Sequence, residues 1–246
     1  MRIDLNADLG EGCGDDAALL ALVTSANVAC GAHAGDPATM QHTLELCLRR
    51  GVTVGAHVSY PDREHFGRRE LALSAAEITE QVMRQLEALG AVAQRTGARI
   101  RYVKAHGALY NRMADDGEAA GATLAAIKDF DPSLVLLTLP GCIAMQLAES
   151  QGITAVGEAF ADRAYRDDGR LLPRGEAGAV LTEASVVTER GLQLVREGTL
   201  QSASGRSLRL QVRSLCVHGD TPGAAALTQS LRRALETAGV TLQAFA

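Results

Sequence analysis

Histidine gives the first chemical signal. The chain holds six histidines in 246 residues. Four of them, His33, His57, His106 and His218, stand within a few residues of the C-terminal end of an apolar run that reads as a strand. Imidazole takes up and releases protons near neutral pH and is the commonest metal ligand. One such histidine is more often a satisfied structural residue. Four at equivalent topological positions point to one shared site. His42, inside a predicted helix, and His65, in a charged loop, read as structural.

Acids accompany these rings. Asp4, Asn6 and Asp8 recur at every second residue, so they share one face of the first strand, and Ile3, Leu5 and Ala7 take the other. Polar groups inside a buried strand are costly unless partnered. Asp4 therefore suits a hydrogen-bonded network at the closed end of a barrel, whereas Asp8 and Glu11 lie toward the functional end. Asp36 and Asp220 follow His33 and His218 in HAGDP and HGDTP. Both remain site candidates, with helix N-capping as the alternative, stronger for Asp36 directly before Pro37.

Of the 24 basic residues only Lys104 and Lys128 are lysines. Lys128 lies near a predicted helix end, where any cation is favourable. Lys104 stands two residues before His106 and on the same side of the strand, which suits a need for a compact ammonium. Asn111 closes the same motif, KAHGALYN. Glu158, Asp162 and Arg163, in EAFADR, add two carboxylates and a guanidinium able to grip a substrate carboxylate. Tyr60, Pro61 and Asp62 form a loop that can shape a pocket.

These residues need a scaffold that aims strand ends at one place. Candidate strands are Arg2–Ala7, Ser25–Ala29, Val52–Ala56, Ile100–Ala105, Leu134–Leu139, Ile153–Gly157 and Leu210–Val217. Several are continuous Val/Ile/Leu runs, the mark of strands buried on both faces. Helices are predicted between them. Asp36-Pro37 opens one that stops before Gly51, and the capping box Ser74-x-x-Glu77 opens another that ends near Gly97. Others fit Asp116–Asp129, Gly141–Gln151 and Ser185–Glu197, and Thr221-Pro222 opens the last. The alternation implies α/β architecture with a parallel sheet. Polar chemistry after nearly every strand favours a closed seven-stranded parallel (β/α) barrel, TIM-like, over an open sheet with one switch point.

At roughly 150 residues per domain the length allows one or two domains. No linker or compositional shift divides the chain, so residues 1–246 read as a single barrel domain. The stretch 158–183 lacks a helix pattern and is expected to form a loop or hairpin over the site. A net charge of −5, no tryptophan and few other aromatics argue against nucleic acid as a partner. No apolar run is long enough for a membrane span, and Asp4 and Asp8 stand where a signal peptide needs apolar residues, so a cytoplasmic protein is expected. Five cysteines without C-x-x-C argue against disulfides or a zinc knuckle. No P-loop, G-x-S-x-G elbow or H-E-x-x-H motif is present.

Six segments in order, DLNADLGEG, NVACGAHAGD, GAHVSYPDREHFGRR, KAHGALYN, EAFADRAY and VHGD, resemble the lactam-utilisation family, the A subunits of 5-oxoprolinase, from Asp4 to Asp220. Ala7 and Ala105 depart from that pattern, where cysteine and proline are expected. The resemblance implies a barrel related to glycoside hydrolases and polysaccharide deacetylases. It also implies ATP-dependent hydrolysis of 5-oxoproline to L-glutamate with partner subunits B and C, ATP being bound with Mg2+. Such chemistry activates the amide oxygen by phosphorylation before water attacks. It needs a base for water, an acid for the amine and positive charge near the oxyanion. Asp8 or His106 is expected as the base and Lys104 as the cation, with His33, His57 and His218 orienting water or substrate. Glu11, Asp36, Asn111, Glu158, Asp162, Arg163 and Asp220 are expected to contact substrate. Two other readings remain open. One is a stand-alone amide or ester hydrolase with a divalent metal on Asp8, His33 and His57. The other is a non-catalytic protein that binds a small lactam and signals to a partner.

Overall fold

A computed structural model describes residues 1–219 and 223–246. In chain order the elements are β1 (Arg2–Leu9), α1 (Asp16–Leu20), β2 (Ser25–Ala29), α2 (Pro37–Arg50), β3 (Thr53–Val58), α3 (Ala75–Thr96), β4 (Ile100–Ala105), α4 (Gly107–Asp115), α5 (Gly117–Phe130), β5 (Val135–Thr138), α6 (Ile143–Ser150), β6 (Ala155–Phe160), α7 (Ala184–Glu197), β7 (Thr199–Gln201), β8 (Ser207–Arg209), β9 (Ser214–Val217), α8 (Ala224–Thr237) and β10 (Thr241–Leu242). Strands β1 to β6 pair in sequence and all in parallel. β9 pairs with β6 on one side and β1 on the other, closing a seven-stranded barrel. No helix among the described residues is long and apolar enough to cross a membrane.

The runs become barrel strands because burial on both faces selects them. All five residues of β2 are buried, as are all but the first of β3. Outward-facing Leu5, Val28, Ala56 and Val103 meet the helices in one continuous apolar core. The helices start where their caps dictate. Asp36 caps α2 through the Thr39 amide, with Pro37 at the first position and Gly51 left-handed at the end. Ser74 and Glu77 form a complete capping box for α3. Asp116 caps α5.

The inward faces are polar, and they pair with one another across the barrel. Asp4 accepts from the hydroxyls of Thr24 (2.6 Å), Ser25 (2.7 Å) and Ser214. This is the network expected at the closed end. Above it, Asn27 donates to Asn6 and the Tyr102 hydroxyl donates to Asn27. Gly55 makes that reach possible, because a Cβ there would lie 2.2 Å from the Tyr102 ring.

Departures from expectation have local causes. The last barrel strand is Ser214–Val217, not Leu210–Val217. Leu210 instead follows the β7–β8 hairpin, its amide donating to the Gly198 carbonyl at 2.8 Å. Helix α4 is absent from the sequence expectation because it follows β4 directly, with His106 at its N-cap and no capping side chain. Between Phe160 and α7 lie only the isolated antiparallel bridges Arg163–Val180 and Tyr165–Leu171. Thr221 and Pro222 lie outside the described residues.

Candidate active site

Six of the seven barrel strands send polar or charged side chains toward the same mouth; β5 ends in Thr138, which bonds Cys142. At the centre is Lys104 on β4. Its Nζ lies 3.1 Å from Asp8 Oδ1, 3.2 Å from Glu158 Oε2 and 3.1 Å from Cys216 Sγ. All four residues are buried. Burial alone would push the Lys104 ammonium toward neutrality, but Asp8, Cys216 and Glu158 outweigh it and hold its pKa well above the usual lysine value. Burial likewise disfavours the Asp8 carboxylate, yet His57 and Lys104 hold it well below the usual carboxylate range. The pair is therefore ionised. Asn27 Nδ2 donates to the same Asp8 oxygen at 2.7 Å.

His218 follows β9. Its ring Nδ1 lies 3.0 Å from Asp162 Oδ2, and its amide donates to the same carboxylate. Burial raises the Asp162 pKa, but the His218 ring and amide bring it below the ordinary value. An ionised carboxylate only accepts, so His218 Nδ1 carries hydrogen, and in the neutral ring the lone pair is on Nε2. Phe160 stacks on the ring at 5.2 Å.

Three more imidazoles pack together beside Asp8. His33 and His106 are stacked with centroids 3.9 Å apart, and His57 meets both edge-on. Burial, reinforced by His57, pushes His33 down to about 2. Burial and the two neighbouring rings push His106 well below the usual value. Glu11, from the glycine-rich turn after β1, places Oε1 3.0 Å from His33 Nε2 and 3.5 Å from His106 Nδ1.

A cavity of about 840 Å³ opens over this mouth. Asp8, His57, Lys104, His106 and His218, the five residues expected to do chemical work, all line it, together with Asn111 and Arg163. The segment after β6 supplies Arg166, Arg170, Leu172 and Arg174 to its wall. Glu158 and Asp162 are fully buried behind it, bonded to Lys104 and His218.

Several expectations change. Asp36 is exposed and its carboxylate caps α2, so it is a structural residue outside the cluster. Asp220 lies outside the described residues. Arg163 lines the cavity but donates from Nε to the Ala179 carbonyl and from its guanidinium to the Leu172 carbonyl, tying the long loop down. Asp8 is a poor base because Lys104 and Asn27 already hold it; His106 has both nitrogens engaged, with His57 and the Phe66 carbonyl. The expected metal trio of Asp8, His33 and His57 is not the set that converges. Glu11 and His106 join His33 and His57 instead. His42 is exposed, and His65 bonds Asp62 away from the mouth.

Sequence reasoning misses Cys216, Ser59 and Phe66. Cys216 reads as an apolar strand residue, and only the barrel register brings it to Lys104. Ser59 and Phe66 act through His33 and His106. The turn GEGCG after β1 and the segment GRR after Phe66 are the available signals for close backbone packing.

Comparison with known proteins agrees with this geometry. The LamB/YcsF family model matches residues 3–246. A protein of Agrobacterium fabrum, named as an A subunit of 5-oxoprolinase, is 50% identical over 249 residues, covering 99% of this chain and 98% of that one. The crystal structure of a lactam utilization protein from Thermus thermophilus is 40% identical, covers all of both chains and superposes with a TM-score of 0.93. A family 4 carbohydrate esterase from Streptomyces lividans, 10% identical with a TM-score of 0.54, shares the fold. The ordered motifs, the closed barrel and these full-length matches place the chain in the LamB/YcsF family.

Proposed function

We propose that the chain is the lactam-hydrolysing subunit of an ATP-dependent 5-oxoprolinase, opening 5-oxoproline to L-glutamate together with partner subunits B and C. The observation that carries this reading is the placement of an ionised Asp8–Lys104 pair and an Asp162-oriented His218 in one cavity. The full-length match to a protein named as an A subunit of 5-oxoprolinase supports the substrate.

A five-membered lactam is a weak electrophile, and ATP, carried with Mg2+, supplies activation of the amide oxygen as a phosphate leaving group. The cationic lining, Lys104 with Arg68 and Arg174, suits the substrate carboxylate and phosphate oxygens. Lys104 stabilises the oxyanion that forms when water attacks the ring carbon. His218 Nε2 takes the proton from that water, and Asp162 holds the resulting imidazolium. As the C–N bond breaks, His218 returns the proton to the departing nitrogen, and the acyl phosphate left on the carbon is hydrolysed by a second water to glutamate and phosphate. Base and acid are then one residue, in place of the expected Asp8 or His106. Asp8 keeps Lys104 charged and fixed.

The test is glutamate release from 5-oxoproline, using this chain alone and with its B and C subunits, with and without ATP. Glutamate is expected only from the full mixture with ATP. No glutamate with folded partners would overturn the reading. Release by the chain alone without ATP would establish the stand-alone hydrolase instead.

A further inference from the structure

The three packed imidazoles hold more information than the proposed reaction uses. Each ring has one nitrogen tied outward. The Lys104 carbonyl can only accept, so His57 Nδ1, 3.1 Å away, carries the hydrogen between them. The Phe66 carbonyl likewise accepts from His106 Nε2 at 2.9 Å. The Ser59 hydroxyl donates its single hydrogen to the Tyr60 carbonyl at 2.9 Å. It therefore accepts from His33 Nδ1, also at 2.9 Å. A neutral ring with one nitrogen protonated has one lone pair left. In the metal-binding state those lone pairs belong to Nε2 of His33, Nε2 of His57 and Nδ1 of His106; without an ion His57 Nε2 faces Asp8 Oδ2 at 3.4 Å, and an ion bound there displaces the proton between them.

The three nitrogens and one Glu11 carboxylate oxygen lie within 4.8 Å of one another. His57 Nε2 is 3.0 Å from His106 Nδ1, and His33 Nε2 is 3.0 Å from Glu11 Oε1. Lone pairs so close repel unless a proton or a metal ion lies between them. Donor atoms about 2.1 Å from one ion stand about 3.0 to 3.4 Å apart at octahedral to tetrahedral angles; these two pairs have that spacing, and Glu11 Oε1 lies 3.5 Å from His106 Nδ1 and 3.8 Å from His57 Nε2.

The surrounding backbone enforces the arrangement. Phe66 has a φ of 56°, the one positive value at a non-glycine position among the described residues. Its carbonyl receives His106, and its ring stands edge-on to His33 and His106. At Gly67 a Cβ would lie 2.9 Å from the His33 Cβ, and at Gly107 one would lie 2.4 Å from the Gly67 carbonyl oxygen. A non-glycine residue persists in that conformation only where its surroundings demand it.

We propose that Glu11, His33, His57 and His106 form a binding site for one divalent first-row transition-metal ion of the zinc class. Three imidazole nitrogens and one carboxylate suit such an ion, whereas Mg2+ and Ca2+ take oxygen ligands. The site is thus separate from any Mg2+ carried by ATP, and the inference does not depend on the lactam reading. The outward bonds to Lys104, Phe66 and Ser59 are the kind that orient metal-bound histidines. His57 and His106 line the cavity, so the ion stands in its wall beside Asp8.

The test loads chelator-stripped full-length protein with Zn2+ or Co2+, counts bound metal by mass spectrometry and records the visible spectrum of the Co2+ form. About one equivalent is expected, with d–d bands of a nitrogen- and oxygen-ligated ion. Glu11→Gln and His33→Ala should weaken binding by at least about 100-fold, and Ser59→Ala by about 10-fold. Asp8→Asn and His218→Ala should keep the full equivalent. Should the ligand variants not fold, nitrogen NMR of wild-type protein with Zn2+ must show His33 and His57 protonated on Nδ1 and His106 on Nε2. Less than a tenth of an equivalent of either metal in the wild type overturns the proposal. So does unchanged affinity in the folded ligand variants, loss of metal in Asp8→Asn or His218→Ala, or the opposite tautomers.

Discussion

Asp4 and Asp8 occupy the same face of the same strand, four residues apart, yet the barrel treats them in opposite ways. At the closed end Asp4 accepts from three hydroxyls. Burial raises its pKa to about 6, more than those hydrogen bonds lower it. At the mouth Asp8 meets Lys104 and His57, and its pKa falls well below the usual range. Neutral donors suffice to hold a barrel closed. An ionised pair at a cavity wall is costly to bury, and its retention fits a use in charge stabilisation. The difference separates residues that keep the fold from residues that do work.

The sharpest way to break this contrast is Lys104→Met. It leaves Asp8 and Glu158 buried without their shared cation, a change that costs about 3–5 kcal/mol when one partner of a buried pair is removed. Denaturant titration should show that loss, and glutamate release should fall by at least about 100-fold even in the folded fraction. Lys104→Arg should not rescue it, because a planar fork cannot replace a compact ammonium among three close partners.

Next in size is Asp162→Asn. It keeps the shape beside His218 while removing the charge that fixes the ring. Turnover should drop by about 100- to 10,000-fold with KM nearly unchanged, measured by steady-state kinetics of the assembled enzyme.

The closed end makes a pH-dependent prediction. The folded pKa of Asp4, about 6, lies above its ordinary value of 3.8, so the native state binds the proton more tightly than the unfolded chain. Stability from this group is complete below about pH 4 and is lost as pH rises through about 6. Asp4→Asn should flatten that part of the stability profile in urea titrations between pH 4 and 7. The smallest effect belongs to Ser25→Ala, which removes one of the three hydroxyls. It should cost about 1 kcal/mol and leave turnover unchanged in the same assays.

Much of this is legible in the sequence because the signals are strong and local. The expected bounds of β2 and β4 match to the residue, and Asp36-Pro37 and Ser74-x-x-Glu77 mark two helix starts. The histidines at strand ends identify the mouth, since strand direction alone decides which end they reach. What escapes depends on register and on loop packing. Asp36 is ambiguous because a capping aspartate and a binding aspartate look alike beside proline. That Glu11 and His106 gather with both His33 and His57, while Asp8 reaches only His57 among these rings, depends on how β1, β2, β3 and β4 are staggered. The His218–Asp162 pair spans 56 residues and forms only when β9 closes against β6.

The most direct measurement makes the same substitution at both ends of β1. ATP-coupled glutamate release by Asp8→Asn and Asp4→Asn is compared in the assembled enzyme, at equal folded fraction. Asp8→Asn is predicted to lose at least about 100-fold in turnover, while Asp4→Asn stays within about threefold of the wild type. Equal losses at the two positions, or full turnover by Asp8→Asn, would contradict the division between the closed end and the mouth.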